Sequence, residues 1–213
     1  MSGLPTRRVF FALWPDAAQR EALAHAIRKA VKSCGGRPVP PESLHVTLAF
    51  LGSVPESGVP ELGSLARAVA ESLPRETGPL RLRFDRLVHW KRAQILCALA
   101  GAAAVAEEDI AAESVAAENT AGSEEGAARG TAALAAALVE RTAGAGFSPD
   151  LKPFRAHVTV ARKVVHPPAR GERFAVQWDF GAFALIDSRT EPTGPVYSVI
   201  ESYLLAKNEK AHE

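Results

Sequence analysis

Residues 8–14, RVFFALW, form an apolar, aromatic run of strand length, and Pro15-Asp16 supplies a turn and an N-cap directly after it. Beyond the cap, Ala18, Ala22, Ile27 and Val31 recur at roughly helical spacing. This predicts a helix over residues 17–33, ended by Gly35-Gly36, where a left-handed backbone is cheap. PVPPE reads as an extended connector. Residues 43–51 read as a second strand closed by Gly52, and 58–72 as a second amphipathic helix before Pro74. Between 80 and 88, Leu82 and Phe84 alternate with Arg81, Arg83 and Asp85. Residues 94–99 follow the Lys91-Arg92 turn, which predicts a hairpin.

From about 101 to 130 the pattern fades into Ala, Glu, Gly and Ser, with no aromatic residue and few large aliphatics. Such a stretch buries too little apolar area to offset its ordering entropy. It reads as a mobile insertion or, at most, a weak exposed Ala-rich helix. Structure resumes with a helix at 131–142, a strand at 156–163, and a strand-rich end over 173–186 and 196–205. Strand-helix units thus stand on both sides of the insertion, and an internal duplication is expected.

Composition narrows the classes. A chain of 213 residues can form one domain or two small lobes with a core that needs neither disulfide nor metal. Its 25 Lys and Arg against 24 Asp and Glu give a net charge of +1, so any contact with nucleic acid is expected to be local. Cys34 and Cys97 form no CxxC or Cys/His cluster and read as reduced and structural. The apolar run near the start is too short for a signal peptide, and no run has the roughly 20 apolar residues of a membrane helix. A soluble, cytoplasmic monomer without membrane contact is expected.

Two of the six histidines share one setting: Leu44-His45-Val46-Thr47-Leu48 and Ala156-His157-Val158-Thr159-Val160. On a strand, residues i and i+2 lie on one face, so each motif presents an imidazole and a hydroxyl to one space and aliphatics to the other. One such pattern has an even chance of being an ordinary half-buried strand. Its repetition makes coincidence the weaker account.

These motifs, with VFFALWP at the start, RPVPPESLHVTLAFLG around the first and KPFRAHVTVAR around the second, resemble the 2H phosphoesterase superfamily. The similarity is to its RNA 2′,3′-cyclic phosphodiesterase branch, the LigT-like or 2′-5′ RNA ligase-like family. It covers most of the chain apart from the insertion. The resemblance implies an α+β, bilobal fold in which two antiparallel sheets flanked by helices surround a central groove. It further implies hydrolysis of 2′,3′-cyclic phosphates on RNA ends or nucleotides to 2′-phosphomonoesters, with 2′-5′ RNA joining as a further activity. One departure from the family is Ala156, where relatives usually carry proline, which makes the start of that strand less rigid.

The residues suit that chemistry. Opening a cyclic phosphodiester requires one proton taken from water and another given to the departing ribose oxygen. Two imidazoles with ordinary pKa values near 6.5 can share these tasks without metal. By similarity His45 is the acid and His157 the base, although the residues alone leave the reverse assignment open. Thr47 and Thr159 can donate to the non-bridging phosphate oxygens. Arg162 belongs to the family pattern HxTxxR, yet on a regular strand it points away from the histidine face, and only a strand end or bulge brings it to phosphate. Phe50 is a candidate for stacking a base, whereas Phe11 reads as core. Lys152 and Arg155 are candidate contacts to an RNA backbone, and His25, His89 and His166 are assigned no role. No metal and no cofactor are expected, since no HD pair, DxH cluster or carboxylate adjoins either motif. A related enzyme for small cyclic nucleotides or 2′-5′ oligonucleotides, and a non-catalytic RNA-binding relative, are the alternatives.

Overall fold

The apolar run near the start becomes strand β1, Thr6–Leu13, and its last five residues are buried. The computed structural model describes residues 5–73, 79–101, 121–168, 174–192 and 194–205. Helix α1, Ala17–Ser33, opens on a capping box in which the Gln19 amide donates to Asp16 Oδ1 at 2.8 Å and the Asp16 amide donates to Gln19 Oε1 at 3.1 Å. Two amide groups that a helix start leaves unpaired are thereby satisfied. After the helix, Gly35 takes φ +65° and Gly36 passes so near β6, His157–Arg162, that a Cβ would lie 2.7 Å from the Arg162 carbonyl oxygen. Only glycine allows that approach. Arg37–Pro38 can then pair with Arg162 and Ala161 as the short strand β2.

Two antiparallel sheets result. The first has the order β3-β1-β8-β9, with β3 at Val46–Pro55, β8 at Ala182–Glu191 and β9 at Gly194–Leu204. The second has the order β2-β6-β5-β4-β7, with β4 at Leu80–Trp90, β5 at Ile95–Ala100 and β7 at Val176–Phe180. Helices α2, Val59–Ser72, and α3, Ala121–Gly144, complete the α+β architecture. β1, α1 and β3 make one strand-helix-strand unit, and β5, α3 and β6 make another, each closing on an antiparallel motif strand. The first sheet joins strands from both ends of the sequence, because β8 pairs with β1.

Large side chains lock these layers together. Trp178 is fully buried, meets Phe84 edge-on with ring centroids 4.9 Å apart, and donates its indole N–H to the Gln19 carbonyl at 2.8 Å, fastening α1 to the second sheet. Such a buried indole combines a large apolar area with a satisfied donor. Phe11, Phe183 and Tyr203 pack together in the core beside the first sheet, so Phe11 is core as expected.

The structure departs from the sequence reading at several boundaries. Gly52, at φ +70°, does not close β3, which runs on to Pro55. PVPPE is not simply extended, since its Pro38 ends β2 and a 3-10 turn covers Pro41–Ser43. The 173–186 segment divides around Gly181 into β7 and β8. Helix α3 begins at Ala121, ahead of the expected 131, and takes in the end of the Ala-rich stretch. The rest of that stretch, 102–120, lies outside the described residues. Among the described residues no helix is long and apolar enough to cross a membrane.

Candidate active site

The two motif strands come from different sheets and reach one groove. His45 immediately precedes β3 and His157 begins β6, and both line a groove of about 730 Å³ with Thr47, Thr159, Phe50 and Arg162. Alternation sets each His and Thr on the groove side while Leu44, Val46, Leu48, Val158 and Val160 are buried in the core. Each strand then bulges at the same place. The β1–β3 register passes from Ala12–Thr47 to Phe11–Ala49, skipping Leu48, and the β5–β6 register passes from Cys97–Thr159 to Leu96–Ala161, skipping Val160. One extra residue reverses the alternation. The fifth residue after each histidine therefore returns to the groove: Phe50 in one motif, Arg162 in the other. This is how Arg162 reaches the site despite its odd spacing.

Both imidazoles are held by their own backbone. His45 Nδ1 lies 2.7 Å from the Ser43 carbonyl oxygen, and His157 Nδ1 lies 2.7 Å from that of Arg155. A carbonyl only accepts, so Nδ1 carries the hydrogen in each ring and Nε2 is left to exchange a proton. Aromatic side chains fix the ring planes. Trp14 stacks on His45 with centroids 5.5 Å apart, Phe10 and Tyr197 pack at 4.9 and 5.1 Å, and Trp90 packs on His157 at 4.6 Å. Contacts of this kind contribute about 0.5–1.5 kcal/mol each. The Arg20 guanidinium in turn lies 4.6 Å over the Trp14 ring.

The model of the LigT-like phosphoesterases matches residues 13–96. An RNA 2′,3′-cyclic phosphodiesterase of Thermus thermophilus is 31% identical over 202 residues, covering 93% of this chain and 90% of the relative. The chain belongs to the LigT-like phosphoesterase family. Solved structures agree with the fold. E. coli LigT complexed with 3′-AMP has a TM-score of 0.66 at 25% identity, over 95% of this chain and all of that one. A protein of Thermus thermophilus has a TM-score of 0.67 at 29% identity, with the same coverage.

In this LigT-like phosphoesterase the groove is locally basic although the whole chain is near neutrality. Arg8, Arg37, Arg162 and Lys163 line it against one carboxylate, Glu42. Burial, opposed by the hydrogen bond to the Ser43 carbonyl and helped by the nearby His157, Arg162 and Arg20, holds the His45 pKa down at about 4. Burial likewise lowers the His157 pKa, against the hydrogen bond to the Arg155 carbonyl. In the free groove both imidazoles are therefore neutral near pH 7, and a bound anion would favour their charged forms. Below the floor, Cys97 faces Thr159 across the strands with Sγ 4.0 Å from Oγ1, and burial pushes its thiol up to about 12, so it is an inert neighbour.

The remaining sequence candidates separate clearly. Lys152 is bound to Asp150 at 2.9 Å and, like the Arg155 side chain, is not part of the groove lining; Arg155 contributes through its carbonyl. His25 and His166 are exposed, and His89 sits in β4 opposite Leu96, all apart from the groove. The Ala156 carbonyl accepts the Ala100 amide at 3.1 Å, so the strand start is held there without proline. Phe50 borders the groove, with the Arg8 guanidinium 4.8 Å from its ring centroid. Sequence reasoning overlooked Trp14, Trp90, Tyr197 and Arg8. No local pattern in the sequence marks them, because each acts through a ring that distant segments bring beside it.

Proposed function

We propose that this protein opens 2′,3′-cyclic phosphates at RNA ends, leaving a 2′-phosphomonoester, with His45 as acid and His157 as base. The supporting observation is the pair of imidazoles brought from two sheets into one basic groove, each with Nδ1 tied to a carbonyl and Nε2 left for proton transfer. In this reaction water approaches phosphorus in line with the P–O3′ bond and gives a proton to Nε2 of His157. The new P–O bond forms as P–O3′ breaks, and the departing oxygen takes the proton on Nε2 of His45. The two rings finish with exchanged protonation states, which solvent resets. Thr47 and Thr159 donate to the non-bridging oxygens, Arg162 balances the charge growing there, and Phe50 borders the base. With a 5′-hydroxyl in place of water, the same transfers yield a 2′-5′ bond.

The test is incubation with a 2′,3′-cyclic-phosphate-ended oligonucleotide in the presence of a chelator, followed by phosphorus NMR of the product. A 2′-phosphate with a free 3′-hydroxyl is expected. Mainly 3′-phosphate would overturn the acid assignment, and a divalent-metal requirement would overturn the two-histidine mechanism.

The depressed imidazole pKa values predict the pH dependence. The profile of kcat/KM reports the free protein, where His45 sits near 4 and His157 lies below its ordinary 6.5, so its maximum should fall below about 6.5. A bound phosphodiester anion favours both charged rings and raises both values. The kcat profile should accordingly peak at higher pH than kcat/KM. Coincident maxima above pH 7 would refute the depressed imidazole values.

A further inference from the structure

Pairing between β1 and β8 stops at Val9–Asp187, although β1 continues along β3 to Thr6–Pro55 and β8 continues along β9 to Glu191–Gly194. The two strands part beyond that point, and a second cleft of about 640 Å³ opens between them. Arg8, Ser188 and Thr190 line both this cleft and the histidine groove, so the one runs into the other. The cleft carries three arginines, Arg7, Arg8 and Arg189, against two carboxylates, Glu56 and Asp187. Glu56 holds Arg7 at 2.6 Å and Asp187 holds Arg189 at 3.4 Å, yet both arginine side chains remain substantially exposed. A guanidinium has five N–H donors. Each carboxylate therefore orients its arginine and leaves donors for a second anion, the fork geometry that phosphate favours.

We propose that this cleft binds the phosphates of the nucleotides preceding the cyclic end, so that the preferred substrate is an RNA strand of several nucleotides and not a lone nucleoside cyclic phosphate. The proposal rests on the cyclic phosphodiesterase reading for the polarity of the strand. The size of the two spaces supports it. The histidine groove alone has the volume of a small-molecule site, and a space of nearly equal volume opening from it has room for further nucleotides. Arginines and hydroxyls that contact phosphate position a strand without reading its bases, so the preference is for length and not for sequence.

The experiment measures binding of 2′-phosphate-ended oligoribonucleotides of one to four nucleotides to the full chain, by calorimetry at two salt concentrations, beside turnover of the matching cyclic phosphates. Affinity is expected to rise at least tenfold from one nucleotide to three. Each additional phosphate contact should steepen the log–log salt slope by about 0.7. The double variant Arg7→Gln/Arg189→Gln should bind the trinucleotide no better than the mononucleotide while leaving mononucleotide binding and turnover unchanged. Ser198→Glu, which places a negative charge in the same cleft, should do likewise and covers the case in which the double variant fails to fold. Affinity independent of length in the wild type, or length dependence that survives in the variants, would overturn the proposal. Absence of turnover at every length would instead sink the activity reading, and the binding series would still decide the cleft.

Discussion

Replacing His45 or His157 by glutamine is expected to lower kcat by two to four orders of magnitude, the usual contribution of a positioned acid or base. Glutamine keeps much of the ring's bulk, so the Trp14, Phe10 and Tyr197 packing around His45 and the Trp90 packing around His157 should survive. Melting temperatures should accordingly stay close to wild type. Because the two rings serve one transition state, the double variant should be scarcely slower than either single one. Stopped-time assays on a cyclic-phosphate-ended oligonucleotide check this directly. Near-normal turnover in either single variant, or losses that multiply in the double, would mean the two histidines do not work as a pair.

Arg162→Gln is expected to cost about 10²–10³-fold in kcat, the loss seen when a donor to a developing oxyanion is removed. Arg162→Lys should recover only part of it, since an ammonium lacks the guanidinium fork. The variant also carries an electrostatic signature. The Arg162 charge lowers the His45 proton affinity, so its removal should move the acidic limb of the kcat/KM profile to higher pH. A loss of rate with no movement of that limb would place Arg162 outside the histidine pair. Since its side chain is at the groove surface, stability should change little.

What could be read from the residues alone follows from how local each feature is. The Asp16 cap, the α1 helix, the β4–β5 hairpin and the alternation of His, Val and Thr are all decided within a few neighbouring positions, and they appear as expected. Arg162 was legible only as a condition, because its face depends on the bulge at Val160, which exists through mismatch with β5. Trp14 and Trp90 escaped notice for a similar reason. Which ring they support is settled by how distant segments pack, and neither spacing nor composition records that. The early start of α3 shows the opposite case, in which a composition poor in large aliphatics still continues a helix whose later turns bury Leu134, Ala135 and Leu138.

The composition of the first sheet also sets the order in which the molecule can assemble. β1 meets β8 at Val9–Asp187, partners separated by roughly 180 residues of chain. At a translation speed of about 5–20 residues per second, β1 waits on the order of ten seconds or more for that neighbour. During this interval its aromatic run, Phe10 and Phe11 included, has β3 on one side and an open edge on the other. An open apolar edge is a template for pairing with the wrong strand. The groove's His45 wall, with Tyr197 on β9, is completed last, so nascent chains should depend on chaperone occupancy until β8 and β9 have been made.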